Sequence, residues 1–377
     1  MRKMNILMMS SSTGVGLTYH ISRLLIELKK MGVNVAAIAD RGEQESGLSA
    51  KIEAQGVRLY RAELDSFNPL AILRGAKTTR NVLLKERTDV VHVQGVSQMA
   101  RACLARFHLN HGKSVYLVYT LNNLPWNCLY SVIDACADLV IAPTEQVRRL
   151  AINAGISCTK IKVVHNWLDI NQFDEYMHRT FNFSAVVSSA FSNADNTLVY
   201  LANLYKHKDH ATLFHSLCEV IKEYPRTKVL LLGQGPEEPF LRELSARLNI
   251  AKNIVFAGRV CYEWVPKILS MADFGVVTST RETFGHAIIE PLAAKKPVIS
   301  TPVGVAPEIA KHNVGLIVRK EDPEALSSAI LYLIENPKEA RAMGLNGRQL
   351  VQEMFSVETI ASALRGVYDS IATDFVQ

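Results

Sequence analysis

Two carboxylates, Glu282 and Glu290, close the ends of the segment Glu282-Thr283-Phe284-Gly285-His286-Ala287-Ile288-Ile289-Glu290. Between them Thr283-Phe284-Gly285 makes a small glycine-containing loop that predicts a helix opening at His286. Free amides at a helix start attract anions, so a phosphate fits there. Carboxylates are poor phosphate ligands, but they accept hydrogen bonds from hydroxyl groups such as those of a sugar or a ribose. Amides for a diphosphate, with acids for polyols on either side, suit a sugar nucleotide. A helix with one dipole-favoured acid at its start and another inside would show the same spacing.

Other loops carry compatible chemistry. The stretch Ser10 to Thr18 holds Gly14 and Gly16, which give either a tight turn or a backbone that approaches a phosphate closely. Tyr19 stands where a dinucleotide fingerprint needs its third glycine, which weakens a dehydrogenase reading. Asn203 to Asp209 brings Lys208, a compact point charge, to the start of a helix on the side from which Glu282 approaches. Gly233 and Gly235 again precede a helix. His92, Gln94, Asn122 and Asn123 follow strands and are expected to point towards a cleft, although a lone histidine at a strand end more often serves as a structural hydrogen-bonder.

These loops need elements to hold them. Apolar runs over 5–9, 33–39, 57–60, 90–93, 115–120 and 139–143 read as strands buried on both faces, as in a parallel sheet covered by helices. Between the first two, Ile21, Leu24, Leu25 and Leu28 recur at helical spacing. Residues 177–196 lose periodicity. Strands then restart over 198–202, 228–232, 254–257, 274–278, 297–300 and 315–318, with helices between, and the chain turns helical after Pro337. The expected fold class is α/β, with two Rossmann-like doubly wound domains, 1–180 and 181–356, separated by a ligand-accepting cleft.

Bulk properties exclude several classes. At 377 residues the chain can build two substantial cores. The apolar run at 6–9 is too short for a signal-peptide core or a membrane span, so a cytoplasmic location is expected, at most peripheral at the inner membrane face. Six cysteines form no C-x-x-C pair, and no D-x-D triplet occurs, so a metal-independent site without cofactor is expected. No nucleic-acid partner is expected. The net charge of +6 is uneven: residues 1–180 carry 22 Lys+Arg against 15 Asp+Glu. Arg74, Lys77, Arg80, Lys85 and Arg87 lie along one predicted helix, interleaved with Leu70, Ile72, Leu73, Val82, Leu83 and Leu84. Such a helix either packs as a solvated surface helix or lies against an anionic membrane face.

Together these motifs resemble glycosyltransferase family 4, retaining enzymes of GT-B architecture, over most of the chain from Asn5 to about Tyr368. The paired-glutamate segment continues into Lys296-Pro297-Val298. Val303 to Ile309 looks like a G-x-x-P-E-I segment, Asn203 to Asp209 like a phosphate-binding R-x-x-x-x-K stretch, and Val163 to Phe173 like a linker-side signature. The resemblance implies a nucleotide-diphosphate sugar as donor and a saccharide or lipid-linked hydroxyl acceptor, in cell-envelope polysaccharide or glycolipid synthesis. By that likeness Glu290 would bind ribose, Glu282 the transferred sugar and Lys208 the diphosphate. The amides of Phe284, Gly285, His286 and Ala287, beside Thr283, would hold the diphosphate oxygens. Gly16, Asn203 and Gly233 would border the donor, with backbone at Arg259 and Val260 beside the base. The last helix, from about 357, would cross back to the N-terminal domain.

The chain departs from the family pattern at Asn203, where arginine is usual, at Asn122 and Gln94, where histidine is usual, and at Trp167 in place of glycine. Asn122, in the catalytic position, can hydrogen-bond a sugar but cannot carry a proton as imidazole does. A degenerate sugar-nucleotide-binding subunit and a sugar-nucleotide epimerase are the competing readings.

Overall fold

The computed structural model describes residues 4–10, 15–40, 52–64, 66–107, 109, 115–123 and 127–374. The chain divides into two compact units, Met1–Asp169 with Phe355–Gln377, and Ile170–Met354.

In the first unit seven strands form one parallel sheet. They are β1 (Asn5–Met9), β2 (Asn34–Asp40), β3 (Arg58–Ala62), β4 (Val90–Val93), β5 (Tyr116–Thr120), β6 (Leu139–Ala142) and β7 (Ile161–Val163), in the order β3-β2-β1-β4-β5-β6-β7. Alternation along β1 sends Leu7 and Met9 into one core and Ile6 and Met8 into the other, so the sheet is buried on both faces. The second core is completed by the helix Val357–Asp374. Its Ile360, Leu364, Tyr368 and Ile371 recur at helical spacing and join Ile21, Leu24, Leu25 and Leu28 of the helix Val15–Lys30. An isolated bridge between Leu168 and Ser356 ties down the returning chain.

The second unit holds six parallel strands, β8 (Thr197–Leu201), β9 (Lys228–Leu232), β10 (Ile254–Phe256), β11 (Phe274–Val277), β12 (Val298–Ser300) and β13 (Gly315–Ile317), in the order β10-β9-β8-β11-β12-β13. From β8 the chain runs outward through β9 and β10, then returns to lay β11 on the other side of β8. The loops after β8 and β11 therefore diverge at the carboxyl edge, leaving a crevice between them.

The division between units falls at 169/170 and 354/355, not at 180/181 and 356/357. The helix Ile170–His178 buries Ile170, Phe173 and Tyr176 and packs against the helix Val265–Met271. Arg348 fixes it further, donating to both carboxylate oxygens of Asp174 at 2.9 and 2.6 Å. The aperiodic stretch 177–196 thus lies wholly inside the second unit, where it includes the short helix Ala185–Ser189.

A candidate donor-binding site at the switch point

Lys208 and Glu282 meet in the crevice between the loops after β8 and β11. Tyr205 to Asp209 makes a tight turn, and Asp209 adopts a left-handed conformation (φ 49°) to cap the next helix, accepting from the Thr212 amide and hydroxyl. The turn is strapped to the β11 loop. Thr278 Oγ1 donates to the Lys208 and Asp209 carbonyls at 3.0 and 2.8 Å, and the Thr280 amide donates to the His207 carbonyl at 2.8 Å. Tyr200, wholly buried, donates its hydroxyl to the Lys208 carbonyl at 2.6 Å. So braced, Lys208 Nζ lies 2.5 Å from Glu282 Oε1, which also accepts from Ser279 Oγ at 2.7 Å. Both side chains are largely enclosed, at 18% and 14% exposure, where a charge pair is screened less than at the surface.

The β11 loop then turns into the helix His286–Ala293. Gly285 stands at its N-cap with φ 89°, a conformation that favours glycine. A side chain there would also press a Cβ to 2.7 Å from Ile288 Cδ1. The helix directs its first-turn amides into the crevice, a partial positive charge suited to an anion. Glu290, one turn further on, is buried, and its Oε2 has no hydrogen-bond partner among the described residues. Burial pushes its carboxyl up to about 7, against a hydrogen bond with Tyr262 that pulls it down. An acceptor atom held out of water in this way is ready for a hydroxyl donor.

These groups line one cavity of about 380 Å³. Of the residues expected from the sequence, Asn203, Lys208, Gly233, Arg259, Val260, Glu282, Gly285, His286, Ala287 and Glu290 border it. Thr283 and Phe284 do not: Phe284 is buried at 1% exposure and serves the core beneath the loop. Leu201, Leu232, Val265 and Tyr262 border it unforeseen. Tyr262 opens the three-residue 3-10 turn Tyr262–Trp264, too short to carry a periodic signal. A larger hollow of about 990 Å³ opens on the far side of the Tyr205–Asp209 turn, but it contains neither Lys208 nor either glutamate of the pair.

Gly16 and Asn122 belong to the first unit. Gly16 sits in the opening turn of the helix Val15–Lys30, and residues 11–14 of the preceding loop, including Gly14, lie outside the described residues. Asn122 donates through Nδ2 to Gln94 Oε1 at 2.9 Å. His92 takes the structural hydrogen-bonding role that a lone histidine at a strand end more often has, and differs from expectation only in its place. It lies within β4, not after it, and its ring bridges Tyr368 Oη at 2.7 Å and Thr120 Oγ1 at 2.6 Å, buried at 2% exposure. These contacts hold the ring in the core, and burial lowers its pKa to about 3, which keeps the imidazole neutral. Among the described residues no group of three or more His, Cys, Asp or Glu side chains is placed to hold a metal ion.

Comparison with known proteins adds to this geometry. Residues 185–350 match the model for glycosyl transferases group 1, and residues 15–172 match that for glycosyltransferase family 4. The chain is 28% identical over 311 residues to an N-acetyl-alpha-D-glucosaminyl L-malate synthase of Bacillus anthracis, covering 79% of each chain. It is 31% identical over 185 residues to a GDP-mannose-dependent monoacylated alpha-(1-6)-phosphatidylinositol monomannoside mannosyltransferase of Corynebacterium glutamicum, covering 47% of this chain and 48% of that one. Among solved structures it resembles a glycosyltransferase of Rickettsia africae, with TM-score 0.78, 22% identity and 99% of each chain covered. It also resembles Anabaena HepE in complex with UDP and glucose, with TM-score 0.76, 19% identity and 97% and 100% covered.

The two parallel Rossmann-like sheets, with structural neighbours of this kind, define the fold as GT-B and the protein as a glycosyltransferase. The two matches together span most of its length, and the chain belongs to glycosyltransferase family 4.

Proposed function

We propose that this enzyme moves a sugar, with retention of anomeric configuration and without a metal ion, from a nucleoside-diphosphate sugar to a hydroxyl on a saccharide or lipid-linked acceptor. Cell-envelope polysaccharide or glycolipid synthesis, by a protein peripherally attached to a membrane, is the corresponding setting. The observation that carries this reading is the convergence of Lys208, Glu282, Glu290 and the first turn of the helix His286–Ala293 on one cavity. Two relatives bear on it: the mannosyltransferase named above and an alpha-monoglucosyldiacylglycerol synthase of Streptococcus pneumoniae, 27% identical over 164 residues, 43% of this chain and 37% of that one.

Breaking the anomeric bond leaves negative charge on the diphosphate and positive charge on the sugar ring. Lys208 and the helix amides meet the first charge, already oriented before the donor arrives. Glu282 faces the second while holding the Lys208 ammonium in place. Glu290 receives the ribose hydroxyls. In this reading the leaving phosphate takes the acceptor's proton, so the amide of Asn122 need carry none and serves to position a sugar hydroxyl.

UDP, GDP and ADP should separate in a thermal-shift titration, with one raising the melting temperature well beyond the others. Lys208→Ala and Glu282→Ala should stay folded and each lose about 10²–10³-fold in turnover. Undiminished turnover in both variants would remove the assignment.

A further inference from the structure

The helix Pro69–Lys85 carries apolar side chains on its exposed face as well as on its buried one. Its buried residues, Ala71, Gly75, Ala76, Thr79, Val82 and Leu83, are mostly small, and they lie against the helix Val96–Phe107. Gly75 permits the contact: a Cβ there would come within 2.6 Å of Arg101 Nε and of the Glu63 carbonyl. At 100° per residue, Leu70, Leu73, Arg74, Lys77, Arg80 and Leu84 fall within one outward arc of about 120°. The large apolar side chains of that arc stand in solvent, Leu70 at 64%, Leu73 at 55% and Leu84 at 52% exposure. Phe67, just before the helix, is 70% exposed. It is not carried by a slack loop, because the buried Arg101 grips the Glu63 and Ser66 carbonyls at 2.7 and 2.6 Å.

Charge selects the occupant of this face. No aspartate or glutamate occurs from Ser66 to Lys85, while four cations lie along the helix. Arg74 pairs with Glu63 at 3.0 Å, and Lys85 lies over the Tyr60 ring. Leucines on an acid-free basic helix face match a surface that is apolar below and anionic above, with the helix axis in its plane. The parallel sheet adds direction. The helix follows β3, so its amino end, with Phe67 and Leu70, stands at the carboxyl edge of the first sheet, the edge that also carries Gln94 and Asn122.

We propose that Phe67 and the Leu70–Leu73–Leu84 face of this helix dock the first unit on an anionic lipid bilayer, so that an acceptor lying in the lipid interface is presented to the carboxyl edge of that sheet. The docking stands on its own observations, and only the acceptor clause rests on the function proposed above.

The test is co-sedimentation with phosphatidylcholine vesicles, with and without phosphatidylglycerol. Vesicles containing phosphatidylglycerol should bind the protein at low salt, and binding should weaken but persist at ~0.5 M salt, where exposed charges are screened. The double variants Leu70→Glu with Leu73→Glu, and Lys77→Glu with Arg80→Glu, should each weaken binding at least tenfold. The nucleotide-induced thermal shift should stay unchanged in both, showing that fold and donor site are intact. In Leu70→Trp the new indole emission should move to the blue on vesicle addition. No binding at low salt, or binding that both double variants retain, overturns the docking. So does a dimer dispersed by Leu73→Glu in a protein that ignores vesicles, since the face would then be covered by a second copy. Docking without turnover on any lipid acceptor would leave this surface standing and remove only the functional reading.

Discussion

Glu290 and His92 are both buried and both carry shifted pKa values, and the two act on stability in opposite directions. The folded carboxyl of Glu290 sits at about 7 against 4.5 ordinarily, so the folded state holds an extra proton between those values. Its contribution is present below about 4.5 and is lost as pH rises through about 7. The folded imidazole of His92 sits at about 3 against 6.5, so its contribution is lost as pH falls below 6.5. Glu290→Gln should therefore remove the decline of the apo protein's melting temperature between about pH 5 and 7, a component of about 1–3 kcal/mol. Ribose hydroxyls need the ionised carboxylate, so in the unmodified protein nucleotide affinity should rise as pH climbs towards 7 and release a proton, while in Glu290→Gln it should be weak and flat. Calorimetry in buffers of different ionisation heat checks both. The spacing of the two glutamates and the type of Lys208 were legible in the sequence. That Glu282 would hold Lys208, that Tyr262 would reach Glu290, and that His92 would be sealed between Tyr368 and Thr120 were not, because each joins residues distant in the chain.

At the scale of elements, the site is held by close approaches of backbone. The Gly304 amide region crosses the Glu282 loop at van der Waals distance: with φ 55°, a Cβ there would lie 2.1 Å from the Phe284 carbonyl oxygen, which accepts from the Val305 amide at 2.9 Å. Gly304→Ala should separate the two loops, costing about 1–3 kcal/mol in denaturant unfolding and weakening nucleotide affinity along with stability. An equal loss of stability with unchanged affinity would show that the Glu282 loop does not depend on this crossing. Long apolar runs made most of the strands legible, because strands covered on both faces leave continuous rather than alternating patterns. The three-residue β7 is too short to stand out, and residues 170–178 fall within the first expected domain because nothing in their sequence names the helix they pack against. The same limit applied to the helix Pro69–Lys85. Its charges are visible in the sequence, but only packing shows that Leu70, Leu73 and Leu84 face outward while Leu83 is buried.

For the molecule as a whole, net charge and two α/β units follow from composition and alternation, while the GT-B ground plan and the return of the last helix to the first unit come only from the motif resemblance. The first unit depends on a segment that follows the entire second unit in sequence. Tyr368 on that returning helix is wholly enclosed and hydrogen-bonded to His92. Tyr368→Phe should leave a buried ring nitrogen unpaired and cost about 1–3 kcal/mol, with the loss confined to the first unit in hydrogen-exchange measurements. Uniform loss of protection across both units would show that they unfold together.

The interleaved path has a consequence for synthesis. A ribosome delivers β1 to β7 first, yet the groove formed by Ile21, Leu24, Leu25 and Leu28 gains its cover only after some two hundred further residues have been translated. The unit begun first is thus completed second, and while the polypeptide grows that oily groove stays open to any chaperone that reads exposed aliphatic surface.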